Sequence, residues 1–488
     1  MSASAPASGS DAGLANPEIK GLTSDSRRVA PGFLFAALPG AKTDGRAFIA
    51  DALKRGAVAV LGPAGVDWPA TGRAVCLAAD NTRRAYALMA ARFHARQPKT
   101  VCAVTGTNGK TSTVHFLRQI WTALGHRAAS VGTLGVIGAD GHVASSGGLT
   151  TPDPAELHRL LKDLADGGVE HLAMEASSHG LDQHRLDGVR LKAAAFTNLT
   201  RDHLDYHRDM RSYGAAKRRL FAELLPEDGV AVIHAAAPGA EDILEVCRRA
   251  RRRIVTYGTE GTDVALLSAR PLPDGQRLEL SVFGTARTLA FPLVGVFQAD
   301  NALCALALAI VCGADAAAAT ATLERLGSVP GRLEKVGTSK TGATVYIDYA
   351  HTPDALANVL AALRPHTRGK LLVVFGCGGD RDAGKRPEMG RIAAWTADAV
   401  IVTDDNPRTE DAAVIRRAIL AACPGADEIA DRRGAIRAAV ARLQAGDILV
   451  LAGKGHEQGQ IVGTESHPFD DKTEALAALA GAAPGELS

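Results

Sequence analysis

Val101-Cys102-Ala103-Val104-Thr105-Gly106-Thr107-Asn108-Gly109-Lys110-Thr111-Ser112 is an apolar run that ends in a glycine-bearing turn carrying one lysine, with a helical pattern from Val114 to Leu124 behind it. That order of strand, turn and helix gives the turn its chemistry. Glycines let backbone N–H groups converge on phosphate oxygens, and the helix N-terminus adds partial positive charge. Lys110 can neutralise terminal phosphates, and Thr111 can hold a metal. The turn is shorter than the general nucleotide loop G-x-x-x-x-G-K-[ST], whose first glycine would fall at Val104. A plain glycine-rich turn is the blander alternative, disfavoured by the lysine and the flanking elements.

Outward from this turn the chain keeps alternating apolar runs with helical stretches, the pattern of α/β domains built on parallel sheets. Further central strands are expected at Leu172 to Met174, Ala193 to Phe196 and Val230 to Ile233. Before Pro98 lies a smaller α/β unit with strand-like Phe33 to Leu38 and Val58 to Leu61 and a helical Ala47 to Arg55. After the segment Ser328 to Arg332, new strands are expected at Val345 to Ile347, Leu371 to Phe375, Ala399 to Val402 and Ile448 to Leu451. The expected fold is therefore α/β with three domains: residues 1–98, a central P-loop parallel-sheet domain over 99–332, and a Rossmann-like C-terminal domain over 333–488. A length of 488 residues agrees with several cores rather than one.

Bulk properties narrow the partners. A formal net charge of +2 offers no basic field for nucleic acid, and no apolar run approaches the roughly 18 to 20 residues of a membrane span. The opening MSASAPASGSDAG lacks the basic start and apolar stretch of a secretory signal and reads as a disordered tail over about residues 1–15. Seven cysteines without C-x-x-C spacing suit a reducing cytoplasm.

Nearly every expected strand runs into a polar cluster, and in open parallel sheets ligands bind beyond the carboxyl ends of the strands. Glu175-Ala176-Ser177-Ser178-His179-Gly180 follows one strand, and Asn198-Leu199-Thr200-Arg201-Asp202-His203-Leu204-Asp205-Tyr206-His207 follows another. A carboxylate and an imidazole near a phosphate loop can ligate a divalent cation. Mg²⁺ prefers oxygen, so an imidazole also leaves room for Mn²⁺.

These clusters, with the lysine in Tyr213-Gly214-Ala215-Ala216-Lys217, G-R-L-E at Gly331 to Glu334 and D-Y-A-H-T-P-D at Asp348 to Asp354, resemble the Mur ligase family along the whole chain. The resemblance implies an N-terminal domain that docks a UDP-sugar, a central ATPase domain and a C-terminal domain that receives an amino acid. It implies Gly106, Thr107, Asn108, Gly109, Lys110, Thr111, Ser112, Asn301, Arg332, Asp348 and His351 as ATP contacts. Lys110, Glu175, His203 and Lys217 would be catalytic, with Thr111, Glu175, His203 and Lys217 holding metal, the last as a carbamate. A carbamate replaces an ammonium that would repel Mg²⁺ with an anion that can hold it. Ser24, Ser26, Lys42, Thr43, Thr150, Thr151, Ser177, Gln183 and Arg185 would hold the UDP-linked acceptor.

Asp405-Asn406-Pro407-Arg408 resembles the signature of the family's diaminopimelate-adding members, with Arg381, Gly453 and Glu457 completing the amino-acid site. Diaminopimelate carries a distal carboxylate that lysine lacks, which a planar guanidinium grips with two charge-assisted hydrogen bonds while Asn406 supplies an amide partner. The implied activity is an ATP-dependent ligation of meso-diaminopimelate to the D-glutamate of UDP-N-acetylmuramoyl-L-alanyl-D-glutamate through an acyl phosphate, in peptidoglycan precursor synthesis. ATP and Mg²⁺ (or Mn²⁺) are the implied cofactors, and a cytoplasmic monomer is the implied setting. The alternatives are a lysine-adding or folylpolyglutamate-synthase-like ligase and, from another class, a non-catalytic P-loop switch.

Overall fold

The computed structural model describes residues 17–40, 44–65, 74–138, 140–141, 143–145, 149–272 and 274–481, so the tail expected at 1–15 lies outside the described residues. The chain divides into two compact units. One contains residues 1–97, 152–167 and 182–189, and the other residues 98–151, 168–181 and 190–488. The first unit thus takes in two short segments that lie past the boundary read at 98. Asp153 accounts for part of this, since its carboxylate accepts hydrogen bonds from Tyr86 Oη (3.0 Å) and Ser24 Oγ (3.0 Å). It also caps the helix Pro154–Asp166, whose proline sits in the first turn where no N–H is needed.

That unit is built on four parallel strands in the order Gly21–Thr23, Phe33–Ala36, Ala59–Pro63 and Val75–Ala79. Side chains alternate across the sheet, so Phe35 and Val60 join one core while Leu34, Leu61 and Tyr86 join another.

In the second unit the turn quoted above links the strand Thr100–Thr105 to the helix Lys110–Ala123. The strand pairs in parallel with Ala193–Phe196 on one side and His171–Glu175 on the other. Val230–His234 and Arg253–Gly258 extend the parallel series. Three long strands not expected from the sequence, Val264–Leu272, Gly275–Val282 and Thr285–Phe291, continue the sheet, the last two pairings antiparallel. The helix Val296–Val311 is apolar all round from Ala302 onward and buried over most of its length, packing with Phe116, Leu117 and Ile120 of the loop's helix.

The C-terminal sheet runs Glu334–Thr338, Thr344–Asp348, Ile448–Ala452, Leu371–Phe375, Ala399–Val402 and Asp427–Glu428, parallel except for its first strand. Its central strands are buried on both faces, which is why they read as continuous apolar runs. Among the described residues no helix is long and apolar enough to cross a membrane.

Candidate active site

The phosphate loop sits at the carboxyl end of Thr100–Thr105, with the ends of both neighbouring strands beside it. Gly109 is the N-cap of the loop's helix with φ +86°, and a Cβ there would meet Asn301 Oδ1 at 2.3 Å. Only glycine combines that backbone with that approach. Thr197 Oγ1 donates to Asn108 O (2.6 Å) and Asn108 N donates to Asn198 Oδ1 (2.9 Å), so the third strand's end braces the loop.

Lys110 Nζ folds onto the loop's own carbonyls, donating to Gly106 O (2.9 Å) and Thr107 O (2.8 Å). Burial lowers its pKa, while Glu175 and Asp202 favour its charge. Glu175, 1% exposed, accepts from Thr111 Oγ1 (3.0 Å), Thr133 N (2.8 Å) and Thr133 Oγ1 (3.1 Å). Lys217, also 1% exposed, donates to the same Gly106 O (2.7 Å) and lies 4.4 Å over the Tyr213 ring. Burial, then the neighbouring charge of Lys110, holds the Lys217 amine well below the usual lysine range. His203 stands at φ +55° with its Nε2 3.6 Å from Asp202 Oδ2, its ring edge-on to His179. Burial takes this imidazole down to about 4 against the pull of Asp202.

Thr107, Asn108, Gly109, Lys110, Thr111, Ser112, Glu175, His203 and Lys217 line one cavity of about 260 Å³, together with Thr150, Ser177, Asn301, Arg332, Asp348 and His351. Gly106 is not in that lining but supplies the carbonyl both lysines share. Arg332 Nη2 comes within 3.4 Å of Thr111 Oγ1, and its guanidinium stacks 4.5 Å over Tyr349. Asp348 accepts from Leu333 N (2.6 Å) and Ala350 N (2.7 Å), and burial raises it to about 6. Thr151 faces Glu175 and Ser177.

A second cavity of about 440 Å³ is lined by Arg381, Asp405, Asn406, Arg408, Gly453 and Glu457, with Pro407 outside the lining. Asp202, His203, Tyr349 and His351 line both cavities. Polar clusters from both sheets therefore meet at one cleft.

The described Ser24, Ser26, Gln183 and Arg185 lie in the N-terminal unit, where Arg185 Nη2 donates to Gln183 Oε1 (2.7 Å). Thr150, Thr151 and Ser177 belong to the other unit, and Lys42 and Thr43 lie outside the described residues. Sequence reading passed over Asp202, Asp354 and Lys454. Asp202 and Asp354 stood inside quoted motifs, and Asp354 Oδ2 accepts from Asn108 Nδ2 (3.0 Å) and Thr200 Oγ1 (3.3 Å). Tyr213 also stood inside a quoted motif, whereas Thr133 gave no local signal.

The Mur ligase middle domain matches residues 104–309, the Mur ligase glutamate ligase domain residues 331–455, and the Mur ligase family catalytic domain residues 18–94. The chain belongs to the Mur ligase family. It is 54% identical over 470 residues to the UDP-N-acetylmuramoyl-L-alanyl-D-glutamate–2,6-diaminopimelate ligase of Caulobacter vibrioides, covering 96% of each chain. The enzyme of that name from Mesorhizobium japonicum is 53% identical, covering 95% of this chain and 96% of its own. A solved structure of a ligase with that name superposes with a TM-score of 0.69 at 34% identity, covering 95% of each chain. The folylpolyglutamate synthase of Mycobacterium tuberculosis shares the fold, with a TM-score of 0.65 at 22% identity over 83% of this chain and 96% of its own.

The donor chemistry of this Mur ligase fits a hard divalent cation beside Thr111 and Glu175, where hydroxyl and carboxylate oxygens meet. At Lys217 and His203 it fits only once the lysine amine carries an anionic group.

The buried imidazoles make stability depend on pH. Burial keeps His115 and His456 at about 3, whereas an unfolded chain takes up those protons near 6.5. Between these values the unfolded state binds more protons, so stability falls as pH is lowered from about 6.5 toward 3, by at most about 1.4 kcal/mol per unit for each imidazole. Asp348, raised to about 6, works in the opposite direction, since its stabilisation is complete below its unfolded value and is lost as pH rises through 6. Calorimetry should show the unfolding temperature dropping from pH 7 to pH 4, and dropping less steeply in His115→Asn.

Proposed function

We propose that this Mur ligase uses ATP to join meso-diaminopimelate to the D-glutamyl carboxylate of UDP-N-acetylmuramoyl-L-alanyl-D-glutamate, releasing ADP and phosphate. The observation that carries this reading is the common wall of the two cavities, Asp202, His203, Tyr349 and His351, between the phosphate loop and the pocket of Asn406 and Arg408. An acyl phosphate made on one side is then within reach of an amine held on the other. Relatives above 50% identity with this activity in their names support the same reading.

In the proposed reaction the acceptor carboxylate attacks the γ-phosphorus, and Lys110 offsets the charge that accumulates on the transferring oxygens. Mg²⁺, or Mn²⁺, held by Thr111, Glu175, His203 and carbamylated Lys217, would supply further charge neutralisation there. Asn301, Arg332, Asp348 and His351 orient the nucleotide beside the loop, and Asn108 is steadied by Asp354. The amine then displaces phosphate from the acyl carbon. Arg408 and Asn406 hold the distal carboxylate of the incoming amino acid, Glu457 its distal ammonium, and Arg381 the mouth of the pocket.

We assign UDP-acceptor docking to residues 1–98, ATP binding to 99–332 and amino-acid binding to 333–488. The polar residues Ser24, Ser26, Lys42, Thr43, Thr150, Thr151, Ser177, Gln183 and Arg185 are assigned to the acceptor. We further propose that the enzyme acts in the cytoplasm as a monomer.

Mass spectrometry of the product formed with diaminopimelate and with lysine, in the unaltered protein and in Arg408→Ala, tests the specificity. The expected result is ligation of diaminopimelate, lost by about two orders of magnitude in the variant because a charged site loses its bidentate partner. Equal ligation of both amino acids by the unaltered protein would leave only the coarser reading of an amide-forming ligase.

A further inference from the structure

Behind Asn406 and Glu457, which line the second cavity, lies a cation that the proposed reaction has not used. Lys454 follows the strand Ile448–Ala452 and is 0% exposed. Its Nζ donates to Asn406 Oδ1 (3.0 Å) and to Glu457 Oε2 (3.3 Å). Asn406 Oδ1 also accepts from Ile461 N (3.0 Å), and Asn406 Nδ2 donates to Glu457 Oε2 (2.9 Å). One buried ammonium thus touches two of the polar residues that line the pocket.

An ammonium donates only, so the amide facing it must turn its oxygen inward. With Lys454 and the Ile461 N–H on that oxygen, both its lone pairs are engaged and the amide cannot flip without losing two hydrogen bonds. Its NH₂ is therefore held outward, with one hydrogen toward Glu457 and the other left for a ligand acceptor. Lys454 also offsets part of the charge of Glu457, a carboxylate that would otherwise repel the distal carboxylate of an amino acid while attracting any distal ammonium. Arg408, in the same cavity, donates instead to the backbone, to Gly379 O (2.8 Å) and Asn406 O (3.4 Å). Arg432 is buried like Lys454, but its guanidinium is bound to both oxygens of Asp471 (2.7 Å each) and to Ala452 O (3.0 Å). Close packing fixes the geometry, since a Cβ on Gly453 would come within 2.8 Å of Asp405 Oδ2.

We infer that Lys454 is a positioning residue for amino-acid selectivity: it sets the Asn406 amide and tempers Glu457 so that the pocket accepts a side chain ending in both an ammonium and a carboxylate over one ending in an ammonium alone. Removing the cation strips one of the two bonds that hold the amide oxygen inward and leaves Glu457 uncompensated. Both changes penalise a distal carboxylate and spare a plain ammonium.

The inference rests on the proposed diaminopimelate specificity, and the test separates the two. The full chain, Lys454→Met and Lys454→Arg are assayed with diaminopimelate and with lysine at saturating ATP and acceptor. In Lys454→Met, kcat/KM with diaminopimelate should fall about ten- to a hundredfold, the size expected for lost hydrogen bonds to charged groups. The loss should sit mainly in KM for the amino acid, with KM for ATP unmoved and kcat/KM with lysine falling far less. Lys454→Arg, which keeps the charge, should recover part of the preference. Equal losses with both amino acids, an accompanying rise in KM for ATP, or no loss at all would overturn the inference. Should Lys454→Met lack a cooperative unfolding transition, Lys454→Gln is judged by the same criteria. An unaltered protein without preference for diaminopimelate defeats the underlying reading, whereas a preference that survives in the variant defeats this inference alone.

Discussion

Replacing Lys110 by alanine is expected to slow ATP turnover by a factor on the order of a hundred to a thousand, the cost of deleting one preorganised charge from a phosphoryl-transfer site. The expectation rests on where the ammonium sits. It is drawn back onto Gly106 O and Thr107 O, with Glu175 and Asp202 close enough to favour its charge against burial. Every bond it makes in this structure is to its own loop, so a triphosphate can take it over without opening a contact elsewhere. ADP release followed with both other substrates saturating checks the rate, and the unfolding transition checks that the fold is intact. A variant that binds nucleotide less tightly yet turns over at the normal maximal rate would move Lys110 from the reaction to ground-state binding.

The second large effect is expected at Lys217. Substitution by alanine should reduce amide formation about a hundredfold or more, because the proposed metal loses an anionic ligand. The physical ground is the crowding of two ammonium groups on one carbonyl, Gly106 O, inside a buried site. Burial and the charge of Lys110 both disfavour protonated Lys217 and so favour its neutral amine, the form that adds carbon dioxide. Activity should therefore fall in buffer stripped of carbon dioxide, return on adding bicarbonate, and fall faster at lower pH, where protons compete for the amine. Carbon-13 bicarbonate should give one carbamate resonance that disappears in Lys217→Ala. Activity indifferent to carbon dioxide, with no such resonance, would remove the modification while leaving the buried lysine to be explained otherwise.

Much of this site could be read from the chain because its chemistry is local. The loop from Gly106 to Ser112 is a contiguous stretch whose glycines, lysine and hydroxyls act through adjacent backbone. The strands before it and at Ala193–Phe196, Leu371–Phe375 and Ala399–Val402 are apolar runs of the length two-sided burial requires. Asp405 to Arg408 likewise falls in a turn directly after a strand. The continuation of the central sheet by Val264–Leu272, Gly275–Val282 and Thr285–Phe291 was not legible, because its outermost strand is largely exposed and carries no apolar run.

The sequence by itself determined the kind of fold and the identity of the phosphate turn, since periodicity and turn chemistry depend on neighbours along the chain. Only the tertiary structure decided that Lys110 and Lys217 share one carbonyl, that Asp202 and His351 wall both cavities, and that Lys454 lies beneath Asn406 and Glu457. Those relations depend on strand order and close approach between distant segments. Burial then alters what an amine or imidazole is, and no local pattern of residues encodes burial.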